Sequence, residues 1–169
     1  MTTPILVFGW GNPSRGDDAL GPLFVERIGA LSLPDVECLT DFQLQIEHAL
    51  DLEGRQLVLF VDASLEAESP FAVSRLSPAG DAGISTHALS PEAVMLVYAE
   101  LHDAEPPPCF LLAIRGECFG LGQPCSPAAQ LHLAAALEWF QKWLEFMLVN
   151  FSRRPELTGS HSSSSTVVQ

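Results

Sequence analysis

The run "QLVLFVDAS" (56–64) is apolar at successive positions, not alternate ones. A strand built on it must be covered on both faces, which is the signature of a parallel sheet. "PILVFG" (4–9) and "CFLLAI" (109–114) repeat the pattern, and "DVECLT" (35–40) predicts a further short strand. "FAVSRL" (71–76) alternates, as an edge strand does. Helical stretches fall between these runs. "DALGPLFVERIGAL" (18–31) puts Leu20, Phe24, Val25 and Ile28 on one face, with Asp18 as its expected N-cap and Pro22 inside the first turn. "QLQIEHALDLEG" (43–54) predicts a helix stopped by Gly54. "SPEAVMLVYAEL" (90–101) and "SPAAQLHLAAALEWFQKWLEFML" (126–148) both open with a serine cap and a proline at the first helical position. The second carries an apolar stripe through Ala136, Phe140, Trp143 and Met147. Strands alternating with helices predict an α/β fold with a largely parallel sheet.

At 169 residues the chain suits one domain. Residues 1–150 are expected to form it, and the polar, serine-rich segment 151–169 is expected to be a disordered tail. Hydrophobic residues make up 47% of the chain and charged residues 17%. No apolar stretch reaches the length of a membrane span: the longest, near 131–149, is interrupted by Glu138, Lys142 and Glu145. The N-terminus lacks a basic region ahead of an apolar one, so the expected location is the cytoplasm. A net charge of −13, with Lys142 the one lysine, argues against nucleic acid, which demands clustered cations. Cys38, Cys109, Cys118 and Cys125 form no CxxC pair and are expected to be reduced thiols, Cys109 as a core residue.

In parallel sheets the functional groups gather beyond the carboxyl ends of the strands. Behind the first strand stands "GWGNPSRGDD" (9–18), which holds Asn12, Asp17 and Asp18. The strand at 56–64 brings Asp62 to the same rim, and the loop "GISTHALSP" (83–91) can carry His87 to it. Two carboxylates and an imidazole make an open, weak site for a borderline divalent metal. His48, His102 and His132 fall at helical positions and are expected to be structural or exposed. The glycine turn is not a dinucleotide fingerprint: Ser14 stands where the third glycine belongs, and Asp41 is expected outside its strand. There is no P-loop lysine and no GxSxG elbow. Asn12 is expected to shape the turn, Gly9, Gly11 and Gly16 to allow close backbone approach, and Asp17 to support the site or a helix dipole.

The stretch "ILVFGWGNPSRGDDALG" resembles the N-terminal signature of the hydrogenase maturation endopeptidases. The likeness continues in order through "FQLQIEHALDLEGRQLVLFVDAS", "STHALSPEAVMLVYAEL" and "IRGECFGLGQPCSP", from about residue 4 to 148. The resemblance implies a three-layer fold, a twisted, mostly parallel sheet flanked by helices on both faces. It implies a protease that removes a C-terminal extension from the large-subunit precursor of a nickel–iron hydrogenase. The family's metal-recognising residues fall on Asp18, Asp62 and His87, with Asp18 where many members carry glutamate. The nickel is implied to arrive on the client's thiolates, so no permanently bound cofactor is expected, and neither is a membrane partner; a monomer is the default. Two readings from other classes stand beside it. One is a metal-dependent phosphoesterase using Asp18 and Asp62, with Arg15 or Arg115 as phosphate clamp; the other is a non-catalytic module that grips a metallated partner.

Overall fold

The computed structural model describes residues 1–80 and 88–153. Its strands are β1 (Ile5–Trp10), β2 (Val36–Asp41), β3 (Leu57–Ser64), β4 (Phe71–Arg75) and β5 (Cys109–Arg115); its helices are α1 (Leu20–Gly29), α2 (Pro91–His102) and α3 (Pro127–Ser152). The strands form one five-stranded sheet in the order β2-β1-β3-β5-β4. β1, β2, β3 and β5 run parallel, and β4 lies antiparallel to β5 at the edge. The alternating sequence of β4 fits that edge position, where most of its residues are exposed.

Both faces of the sheet are covered, which explains the unbroken apolar runs. On one face Ile5, Val7, Leu59 and Val61 pack with Leu20, Phe24 and Ile28 of α1 and with Ala136 and Phe140 of α3. Phe24 meets Phe140 edge to face, ring centroids 5.6 Å apart, so the two helices lock together over the sheet. On the other face Leu6, Phe8, Val58 and Phe60 pack against Leu44, Ala49 and Leu52 and against Val94 and Met95 of α2. Trp143 and Met147 are half-buried against the first cluster, which completes the stripe expected on α3.

Ser90 and Ser126 cap α2 and α3 as expected, their side chains accepting the N–H of Ala93 (3.1 Å) and Ala129 (3.2 Å). Two expectations are corrected. Segment 43–54 is no α-helix: it holds a 3-10 helix over Ile46–Leu52, opened by Gln45 and His48, whose side chains each bond the other's backbone N–H. Asp18 is no N-cap: a 3-10 turn over Gly16–Ala19 precedes α1, whose N-terminal position is Ala19 with no side-chain cap. Among the described residues no helix is long and apolar enough to cross a membrane. Residues 154–169 and 81–87, the latter including His87, lie outside the described residues.

Candidate active site

The chain leaves β1, crosses through α1 to β2 on one side, and returns to β3 on the other. The carboxyl ends of β1 and β3 are therefore the point where strand order reverses, the crevice in which α/β sheets bind their ligands. The turn after β1 enters this crevice with unusually close backbone packing. A Cβ on Gly9 would run into the Gly21 carbonyl, so strand and helix touch there. Gly11, at φ +144°, lies against the Asp18 carbonyl, where a side chain would be both sterically blocked and conformationally strained. Asn12 shapes the turn: its Oδ1 accepts the Ser14 N–H at 2.9 Å. The Asn12 N–H donates to Asp18 Oδ2 at 2.7 Å. That bond fixes the carboxylate that the 3-10 turn brings to the rim, so the shorter aspartate is held close to the backbone.

Asp62 occupies the matching position on β3, following Val58 and Phe60 along the face covered by α2. Burial, and then the negative charge of Asp18, push its carboxyl up to about 7; the Ala63 backbone N–H pulls the other way and is outweighed. Asp18 therefore lies within electrostatic reach of Asp62. One of the pair takes up or gives up a proton near neutral pH, the range useful for acid–base work or for exchange of a proton against a metal ion. Among the described residues no group of three His, Cys, Asp or Glu side chains stands ready to hold a metal. The third expected member, His87, lies outside the described residues.

Asp17 points the other way, and its role is stronger than the sequence suggests. It is fully buried. Its carboxylate accepts the backbone N–H of Glu117 (2.8 Å), Cys118 (3.0 Å) and Ser126 (2.7 Å) and the Ser126 hydroxyl (2.9 Å). Burial alone would raise its proton affinity, but these donors together hold the carboxyl below its ordinary value. Asp17 therefore ties the β1 turn to the loop after β5 and to the N-terminus of α3, not to its own helix. Nothing in the local sequence signals this, because the donors lie about a hundred positions downstream.

Of the other candidates, His48 is buried and structural, with Nδ1 accepting the Gln45 N–H at 2.9 Å and Nε2 3.2 Å from Asp41. His132 is structural too, its ring bridging the Arg115 carbonyl (2.8 Å) and the Ser69 hydroxyl (2.9 Å). Asp41, expected outside its strand, is instead the last residue of β2. Arg115 uses one guanidinium N–H on the Ala67 carbonyl at 3.2 Å and so steadies a loop.

Solved structures share this architecture. The hydrogenase maturating endopeptidase HybD from E. coli superposes with a TM-score of 0.67 at 23% identity, over 85% of this chain and 93% of its own. A hydrogenase 2 maturation peptidase from a Thaumarchaeota archaeon gives 0.62 at 23% identity, over 83% and 97%. These two share the fold. The NiFe hydrogenase maturation protease HycI from Thermococcus kodakarensis KOD1 is more similar in sequence: 27% identity and a TM-score of 0.65, over 85% of this chain and 93% of that one. The chain thus has the fold of the hydrogenase maturation proteases and resembles one of them at 27% identity. No protein-family model and no curated protein matches the sequence. In this fold, the paired carboxylates at the switch point are where the chemistry is to be sought.

Proposed function

We propose that this protein is an endopeptidase that removes the C-terminal extension of a nickel–iron hydrogenase large-subunit precursor once nickel is in place. The observation that carries the reading is the pairing of Asp18 with Asp62, whose proton affinity near neutrality comes from burial and from its neighbour's charge. The pair stands at the switch point of a maturation-protease fold. The nickel belongs to the substrate and arrives on the client's own thiolates. Asp18, Asp62 and His87 complete its coordination transiently. A site of so few ligands is weak by itself, which suits an enzyme that must read the metal without extracting it.

Nickel held in this way positions the client's C-terminal segment along the rim and polarises the scissile carbonyl as a Lewis acid. Asp62, ionising near pH 7, loses its proton as it joins the metal. The reaction takes place in the cytoplasm, where the precursor is assembled, and the four cysteines, unpaired in the structure, suit a reducing compartment.

The test is to mix the purified protein with a purified large-subunit precursor, nickel-loaded or nickel-free, and to weigh the precursor. The proposal expects a C-terminal mass loss only with nickel. Nickel-dependent binding without mass loss would make the protein a non-catalytic partner, and the absence of both would remove the reading.

A further inference from the structure

Arg115 closes β5 and pairs with Ser64 of β3, two residues beyond the pair of Ala113 with Asp62. Leu112 and Ile114 belong to the core under α1 and α3, so alternation along β5 turns Arg115 to the opposite face, that of Phe60 and Asp62. One strand spacing across and two residues along put its Cα about 8 Å from that of Asp62, on the solvent side of the rim. A peptide lying over the Asp62 site in that direction passes the Arg115 side chain.

The backbone around Arg115 is held on both sides. Its N–H donates to the Pro70 carbonyl at 3.1 Å, and its carbonyl accepts from His132 Nδ1 at 2.8 Å. The next N–H, that of Gly116, donates to the Ser64 carbonyl at 3.0 Å. The Ala67 carbonyl that its side chain reaches is fixed in turn, because Ser64 Oγ accepts the N–H groups of Glu66 and Ala67. The guanidinium is placed but not satisfied. Of its five N–H donors one meets Ala67, and the buried Nε has no partner among the described residues. Arg55 and Lys142 meet the carboxylates of Glu37 and Glu138, and Arg75 lies over the Phe110 ring. Arg115 has no ion pair among the described residues.

A buried donor left unmet costs free energy that a ligand recovers. The group that satisfies Nε and a neighbouring Nη together is a carboxylate, gripped through two parallel bonds. The net charge of −13 repels an anionic segment over most of the surface, so a half-buried, unpaired guanidinium fixes where such a segment lies.

We propose that Arg115 is a specificity-determining residue, taking the carboxylate of an Asp or Glu side chain of the precursor about two or three residues of extended chain from the bond at the Asp62 site. The assignment rests on the maturation-protease reading above. It adds an acidic requirement in the client that is separate from its nickel.

The experiment crosses protein variants with client variants. Arg115→Gln and Arg115→Lys are assayed on the nickel-loaded precursor and on precursors in which each Asp or Glu within about five residues of the cut is replaced by its amide. Melting curves check the fold of every variant. The expected result is a rise in KM of about tenfold for Arg115→Gln on the unaltered precursor, with kcat nearly kept. One client replacement should cause the same rise with the unsubstituted protein, and Arg115→Gln should then cost nothing further. Arg115→Lys keeps the charge but loses the fork, so its effect should be smaller. Exchanging the charges, with Arg115→Glu against a client carrying Lys at that position, should recover part of the loss. Equal losses on every client, no loss on any, or a processed precursor with no Asp or Glu in that window would overturn the subsite while leaving the protease reading intact. The client replacements decide the matter even where an Arg115 variant does not fold. If the unsubstituted protein cuts no nickel-loaded precursor, the protease reading fails and the subsite with it.

Discussion

The carboxylate of Asp17 holds Ser126 twice, through its backbone N–H at 2.7 Å and its hydroxyl at 2.9 Å, while Ser126 in turn caps α3. One buried side chain thus fastens the turn that carries Asp18 to the longest helix. Asp17→Ala leaves buried donors without acceptors and should destabilise the protein by about 3 kcal/mol or more, seen as a lower urea midpoint. Because the folded carboxyl titrates below its ordinary value, its contribution is full above about pH 4 and is lost as pH falls further. An unfolding free energy within a few tenths of a kcal/mol of the unsubstituted protein's would contradict this role.

Asp62 has the opposite sign. Its folded pKa of about 7 lies above the unfolded value near 4, so the folded state binds the proton more tightly. Stability should therefore fall as pH rises from about 4 to about 7, by at most about 4 kcal/mol, and level off above. Asp62→Asn removes the buried charge and should flatten this slope, leaving a protein more stable than the original at pH 8 and inactive. Chemical denaturation at several pH values reads both slope and sign.

The two carboxylates are coupled, so a change at one should be visible at the other. Asp18→Asn keeps an acceptor for the Asn12 N–H while removing the charge that helps raise Asp62. The Asp62 carboxyl should then titrate below about 7, yet above an exposed aspartate, because burial is the larger cause. Carbon-detected NMR titration of the Asp62 carboxyl measures this, and an unmoved titration would separate the pair.

Gly11→Ala tests the turn itself. At φ +144°, with the Asp18 carbonyl where a Cβ would lie, alanine must displace backbone. A loss of about 2 kcal/mol or more is expected, together with a larger loss of processing, since the displaced residue is Asp18. A variant that folds and cuts normally would mean that the turn is not what positions Asp18.

What could be read in the sequence was local or was dictated by burial. The unbroken apolar runs of β1, β3 and β5 signal strands covered on both faces, and the Ser-Pro starts of α2 and α3 carry their own capping chemistry. The pairing of Asp18 with Asp62 followed from parallel strands sharing a rim. Long-range contacts were not legible. Asp18 resembled a helix cap because the 3-10 turn ahead of α1 is held by the carbonyls of Cys118 and Gln123, which accept the Asp17 and Gly16 N–H groups from far down the chain. The 43–54 segment resembled an α-helix, but its start is set by reciprocal bonds between Gln45 and His48, and His48 is in turn held by Asp41. That pair depends on a turn after β2 which spacing alone does not specify.

The central claim is that Asp18, Asp62 and His87 read the client's nickel. The most direct measurement is the intact mass of a nickel-loaded precursor after incubation with the unsubstituted protein and with Asp18→Ala, Asp62→Asn and His87→Ala, each verified as folded. The account predicts loss of the C-terminal segment with the unsubstituted protein alone, and none when nickel is withheld. Full processing by any of these variants, or cleavage of the nickel-free precursor at the same rate, would contradict it.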